Sequence, residues 1–158
     1  MDLFEKYIRK EKSSYWVHRA LTDKSYKTEF EREKHKPFDE DVNTDLGTYG
    51  DGVIKLAFLE LLLDSGDKLT EEKSQWESDK YLVEKVAKHY QLIEKKLIHK
   101  NTKDKNLPDD YDYEDTPGKN KNRHKYIATA VEAMIGAIYK EEKDLKPIIE
   151  LLDSWRNF

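Results

Sequence analysis

Apolar residues recur at helical spacing along most of this chain. Leu3, Phe4, Tyr7 and Ile8 share one face of a first short segment, and Tyr15, Trp16, Val17, Ala20 and Leu21 mark a second. From Val53 to Leu63 the pattern is apolar nearly all round, which predicts a central helix packed on most sides and the hub of the fold. Residues 69–90 predict a further helix without a capping box. Glu71 and Glu72 suit the dipole in its first turn, and Trp76, Leu82, Val83, Val86 and Ala87 supply its inward face. Leu92, Ile93 and Leu97 extend another short helix. Between 99 and 122 every periodicity breaks, and Asn, Asp, Lys, Pro108, Pro117 and Gly118 predict a long polar loop of the kind that is functional or mobile.

Regular structure resumes at "KYIATAVEAMIGAIYKE", where Ala128, Ala130, Ala133, Gly136 and Ala137 form a small-residue face that lets a neighbouring helix approach closely. The last segment has Pro147 near its start, where proline is tolerated, and Ile148, Ile149, Leu152 and Trp155 on one face. No strand-period run and no internal repeat is present. The prediction is a single all-α domain over residues 1–158, a helical bundle around a central buried helix.

Composition sharpens this picture. Of 158 residues, 39% are charged and 37% hydrophobic, so the core must be economical, which suits helices with narrow apolar stripes. The absence of cysteine excludes disulfides and zinc–thiolate sites. "MDLFEKYIRKEKSSYW" lacks the apolar run of a signal peptide, and "LAFLELLL", interrupted by Glu60, is too short to span a bilayer, so a soluble, cytoplasmic protein with no membrane partner is expected. A net charge of −4 does not by itself point to nucleic acid. Charge is patchy, however, with acids in "FDEDVNTD" (38–45) and "DDYDYED" (109–115) and bases in "KNTKDK" (100–105) and "KNKNRHK" (119–125). Local sign decides a contact surface.

Two carboxylates carry the candidate chemistry. Asp51 stands between glycines at the mouth of the apolar run, and Glu132 lies within "IATAVEAMIGAIY". A buried ionised carboxylate without a partner costs several kcal/mol or shifts its pKa. If the small-residue face of 128–137 packs on the 50–63 helix, the two acids converge and can share a divalent cation; Mg²⁺ suits one or two carboxylates and several waters. Bland alternatives stay open at this level, with Asp51 as a helix N-cap and Glu132 as a solvent-facing helix residue.

These residues resemble a known family. "GDGVIKLAFLELLL" is similar to the signature helix of ribonuclease III, and "IATAVEAMIGAIYKEEKDLKPIIELL" to its second acidic helix. "HRALTDKSY" (18–26) resembles the segment before the signature, and "LTEEKSQWESDKYLVEKVAKHYQL" (69–92) the connecting helices. The resemblance implies four acids around a metal site, two on each helix. Here Asp51 and Glu132 match the later member of each pair, whereas Gly47 and Thr129 stand at the earlier positions. Mini-ribonuclease III, a branch without a separate double-stranded-RNA-binding domain, resembles this chain in having a small residue and a threonine at those positions, and it cleaves RNA. With the chain ending at Phe158, no separate domain of that kind is expected. "HRALTDKSY" is closer to the standard branch.

The resemblance implies a divalent-metal-dependent endoribonuclease that processes double-stranded or structured RNA. Asp51 and Glu132 are its expected catalytic and metal-binding residues, with Mg²⁺ or Mn²⁺ as cofactor and Thr129 as an auxiliary holder of metal-bound water. With Gly47 and Thr129 in place of acids, weak metal affinity is expected, seen as a high Mg²⁺ requirement or a preference for Mn²⁺. Lys119, Lys121, Arg123 and Lys125 are the expected RNA contacts, against the alternative of a solvated loop. A homodimer is also implied, although the aromatic used by standard dimers falls at Thr48, with Tyr49 beside it as a replacement. Two other functions remain open: a catalytically silent scaffold of the same fold that binds RNA or a ribonucleoprotein, and a helical protein-interaction module.

Overall fold

The computed structural model describes residues 1–63, 69–92 and 125–158, all helices and connections with no strand among them. The predicted polar loop at 99–122 and the helical extension at Ile93 and Leu97 lie outside the described residues.

Helix α1 (Leu3–Ile8) begins with a reciprocal capping box between Asp2 and Glu5. Helix α2 (Tyr15–Ala20) is capped by Ser14, whose hydroxyl accepts from the Val17 amide. Helix α3 (Lys24–Lys34), capped by Asp23 and ended by His35 in the left-handed region at φ 53°, buries no residue fully. That is why hydrophobic periodicity misses it; it gathers the rings of Tyr26 and Phe30 with that of Phe38, which stands edge-on to both.

Helix α4 (Thr44–Leu62) starts well before the apolar run that signals it. Its entry is set by buried Asn43, whose side-chain amide donates to the Ala20 carbonyl at 3.1 Å and whose backbone amide donates to the Thr22 carbonyl at 2.9 Å. The helix expected over 69–90 is divided: α5 (Leu69–Glu77) ends at Ser78, which caps α6 (Asp79–Tyr81), and a π-helical stretch (Leu82–Ala87) continues the chain. Helices α7 (Lys125–Glu142) and α8 (Lys146–Trp155) complete the described fold. No helix among the described residues is long and apolar enough to cross a membrane.

The central buried helix is α7, with ten consecutive or near-consecutive residues from Ile127 to Ile138 buried. This corrects the expectation that 53–63 is the hub. Helix α4 makes the most extensive contact with α7, through Leu46, Val53, Ile54, Ala57 and Phe58 among its buried positions. Its opposite side keeps Leu56, Leu59 and Leu63 at 47, 38 and 65% exposure, because no other element of the described chain covers it. Burying each large apolar side chain of the core contributes about 1.5–3 kcal/mol. Trp155 closes the far end of the bundle, with Nε1 donating to the Tyr90 hydroxyl at 2.8 Å and the Phe4 ring edge-on to its own.

Candidate active site

The α4–α7 crossing is tight because glycines face each other there. A Cβ on Gly50 would overlap the carbonyl oxygen of Glu132, and one on Gly136 would come within 2.9 Å of the Leu46 carbonyl oxygen. Gly50 therefore serves close helix approach, and Asp51 lies inside α4, two turns from its start. The N-cap reading of Asp51 is excluded. The contact sets Asp51, next in sequence to Gly50, against the segment of α7 that carries Glu132.

One turn earlier along each helix the same closeness recurs. A Cβ on Gly47 would meet Thr129 Cγ2 at 2.8 Å and the Thr129 carbonyl oxygen at 3.3 Å. The two positions where the resemblance expects further acids are thus in contact with each other. A large side chain at 47 and the Thr129 methyl compete for one volume, so the two departures from the four-acid pattern are structurally linked.

A cleft of about 890 Å³ opens beside this crossing, and its lining includes Gly47, Asp51, Lys55, Asp79, Thr129 and Glu132. The structure thus brings together the predicted Asp51, Glu132 and Thr129. Predicted Lys125, the first residue of α7, also lines the cleft. Lys119, Lys121 and Arg123 lie outside the described residues.

The electrostatics of the cleft centre on Glu132. Burial, and then the negative charges of Asp51 and Asp79, push its carboxyl up to about 8, with Lys125 and Lys55 acting weakly in the opposite direction. The solvent-facing reading of Glu132 therefore fails: without a bound cation this acid holds its proton at neutral pH. Lys55 Nζ donates to Asp51 Oδ2 at 2.6 Å. That hydrogen bond, then the Asp51 charge, raises the Lys55 pKa, with smaller contributions from Glu77 and Glu132.

These donors suit a hard divalent cation in a largely hydrated form. Among the described residues no group of three or more His, Asp or Glu is placed to hold a metal ion. Two carboxylates, the Thr129 hydroxyl and water remain, a set that matches the few protein ligands and several waters Mg²⁺ accepts. The Lys55 ammonium already stands in for positive charge on Asp51.

Sequence reasoning missed Lys55, Asp79 and Glu77. Lys55 follows Asp51 by one helical turn, so its i,i+4 spacing was a usable signal. Asp79 and Glu77 come from α6 and the end of α5, and only the packing of those elements over the cleft brings them there. Tyr49 is exposed at the edge of the α4–α7 contact, where its ring lies 4.8 Å from Lys140 Nζ and 6.3 Å from the Tyr139 ring.

The model of the ribonuclease III domain matches residues 44–143, from the first residue of α4 to just beyond the end of α7. The chain belongs to the ribonuclease III family. No curated protein matches it. The ribonuclease III match takes in both acid-bearing helices, and it points to a ribonuclease-type function on structured RNA. Domains of the ribonuclease III family generally use divalent metal ions and typically pair as dimers.

Proposed function

We propose that this protein is a divalent-cation-dependent endoribonuclease of the ribonuclease III type, with the reduced acid set of the mini-ribonuclease III branch. The observation that carries this reading is the convergence of Asp51 and Glu132 on one cleft at the Gly50–Gly136 crossing. Asp51 and Glu132 would hold the cation, Mg²⁺ or Mn²⁺, with Glu132 in its ionised form. A divalent ion bound there supplies the positive charge that activates water and offsets charge developing on the phosphodiester. Hydrolysis would join the water oxygen to phosphorus and break the bond to the 3′ oxygen, the water losing a proton and the 3′ oxygen leaving as a hydroxyl. Thr129 offers a hydroxyl to orient a water in the cleft. Lys125 faces the substrate phosphates, and Lys119, Lys121 and Arg123 extend that basic run, giving salt-sensitive binding to duplex RNA.

A homodimer completes the proposal. Tyr49, Gly52, Leu56, Leu59 and Leu63 recur at alternating three- and four-residue steps along the uncovered side of α4, and a Cβ on Gly52 would meet nothing within 4 Å. A second copy of the chain fits this stripe, since apolar positions spaced this way are self-complementary across a two-fold axis. Leu59→Asp is expected to shift the protein to monomer in sedimentation velocity; an unchanged dimer in the variant would rule out this face.

The deciding experiment is cleavage of an end-labelled RNA duplex across Mg²⁺ and Mn²⁺ concentrations. Metal-dependent cuts are expected, with more activity in Mn²⁺, and Asp51→Asn and Glu132→Gln should each lower the rate about a hundredfold or more. The second reading, a silent RNA-binding scaffold, draws on the Lys55–Asp51 ion pair and the small donor set. Duplex binding that weakens with salt, without cutting at high Mn²⁺, would establish that reading instead.

A further inference from the structure

Lys55 poses a question that the metal-dependent reading does not answer. A lysine ammonium lies 2.6 Å from Oδ2 of the carboxylate proposed to hold a divalent cation and already compensates its charge. Two positive charges cannot share one partly buried carboxylate at that range without strong repulsion. Either the lysine leaves or the cation binds poorly.

The cleft contains a second acceptor for the ammonium. Glu77 lines the same cleft from the end of α5, and its Oε1 is engaged by Lys73 at 2.9 Å. Its Oε2 is buried and has no hydrogen-bond partner among the described residues. A buried carboxylate oxygen left without a donor is costly, so a cation that can swing to it gains by doing so. Lys55 is already within the electrostatic reach of Glu77. Its side chain is about half exposed, and its four-carbon stem is free of the packing that would hold a core residue in one rotamer.

We propose that Lys55 is a positioning residue that exchanges between two carboxylates, resting on Asp51 when the site holds no divalent cation and moving to Glu77 when one binds Asp51. The exchange rests on the cation site proposed above and adds a resident competitor to it. Its consequence is a nuclease site that loads only at high cation concentration. Lys55 also keeps the paired helices compensated when unloaded, since Asp51 would otherwise face Glu132 and Asp79 with less positive charge nearby.

The test is Mn²⁺ binding to the full chain at low ionic strength, followed by the paramagnetic resonance of free Mn²⁺. Lys55→Gln is expected to bind Mn²⁺ about tenfold more tightly than the unmodified protein, whereas Lys55→Arg, which keeps the charge, stays within about twofold of it. Glu77→Gln should weaken binding, and the same change made in the Lys55→Gln background should have no effect, because there is no ammonium left to receive. Asp51→Asn should remove the gain from Lys55→Gln. Unchanged or weaker Mn²⁺ binding by Lys55→Gln, with circular dichroism showing a folded chain, overturns the exchange. Tighter binding by Lys55→Gln with no RNA cleavage by either protein would uphold the exchange while defeating the nuclease reading. Mn²⁺ uptake absent from both proteins, or insensitive to Asp51→Asn, would overturn the exchange and the cation site together.

Discussion

Gly50→Ala should destabilise the folded chain by about 3 kcal/mol or more, the largest stability effect expected of any single methyl group in this protein. The new Cβ would fall on the Glu132 carbonyl oxygen, with the Gly136 amide nitrogen 3.0 Å away. Both groups are backbone of a buried helix, so neither can rotate aside. Relief requires α4 and α7 to separate, which unpacks the most extensive helix contact in the described fold. The gain in helix propensity from alanine, about 1 kcal/mol, is too small to offset this. Gly52→Ala is the matched control on the same helix. Nothing lies within 4 Å of its added Cβ, so in the monomeric chain it should be neutral or stabilising by up to about 1 kcal/mol. Urea denaturation of the two variants separates these expectations, and a Gly50→Ala protein as stable as Gly52→Ala would show that the crossing is looser than described.

Glu132→Gln should stabilise the metal-free protein at alkaline pH while abolishing cation-dependent cleavage. The Glu132 carboxyl is pushed up to about 8 in the folded state, by burial first and then by Asp51 and Asp79, from an ordinary value of 4.5 when unfolded. Between those values the folded chain binds more protons than the unfolded one, so this residue's contribution to stability falls as pH rises through that window. Below it both states are protonated and the residue costs nothing. Above it the folded state carries a half-buried anion. An undiminished shift of this size is equivalent to about 4–5 kcal/mol, of which screening by the water that reaches the carboxylate leaves about 2 kcal/mol. Glutamine carries no charge at any pH and escapes the penalty. In chelator, the two proteins should melt together near pH 4.5, and the variant should melt about 4–8 °C higher at pH 8.5. Saturating Mn²⁺ should close that gap by stabilising the unmodified protein alone. Equal melting temperatures at both pH values in chelator would show that Glu132 ionises normally and needs no cation.

The helices that were legible from sequence are those with a continuous buried stripe. Phe4, Tyr7 and Ile8, the run at 53–63, and "IATAVEAMIGAIY" all lie where periodicity placed them. Helix α3 was missed because it covers only a minor aromatic cluster and buries none of its residues fully. The first two turns of α4 were missed for a related reason. Residues 44–52 carry Gly47, Gly50 and Gly52, which look like turn formers in one dimension, although the first two are the residues that let two helices touch. Propensity disfavours them there, and close packing overrides it.

Asp51 and Glu132 stood out in the sequence because an acid beside, or within, an apolar run needs an explanation, and the small residues of 128–137 supplied a reason for two helices to meet. The linear order also contained the i,i+4 pair of Asp51 and Lys55. What packing alone decided is the electrical state of the site. The Glu132 pKa is raised by burial first, then by Asp51 and by Asp79, fifty-three positions away in the chain, and the Lys55 ammonium finds a second acceptor in Glu77 only because α5 ends over the cleft. Helical periodicity reports which face of a segment is removed from water, a local property of the chain. Ionisation and ion exchange depend on distances between groups on different helices, and those distances are set where glycine backbones come into contact.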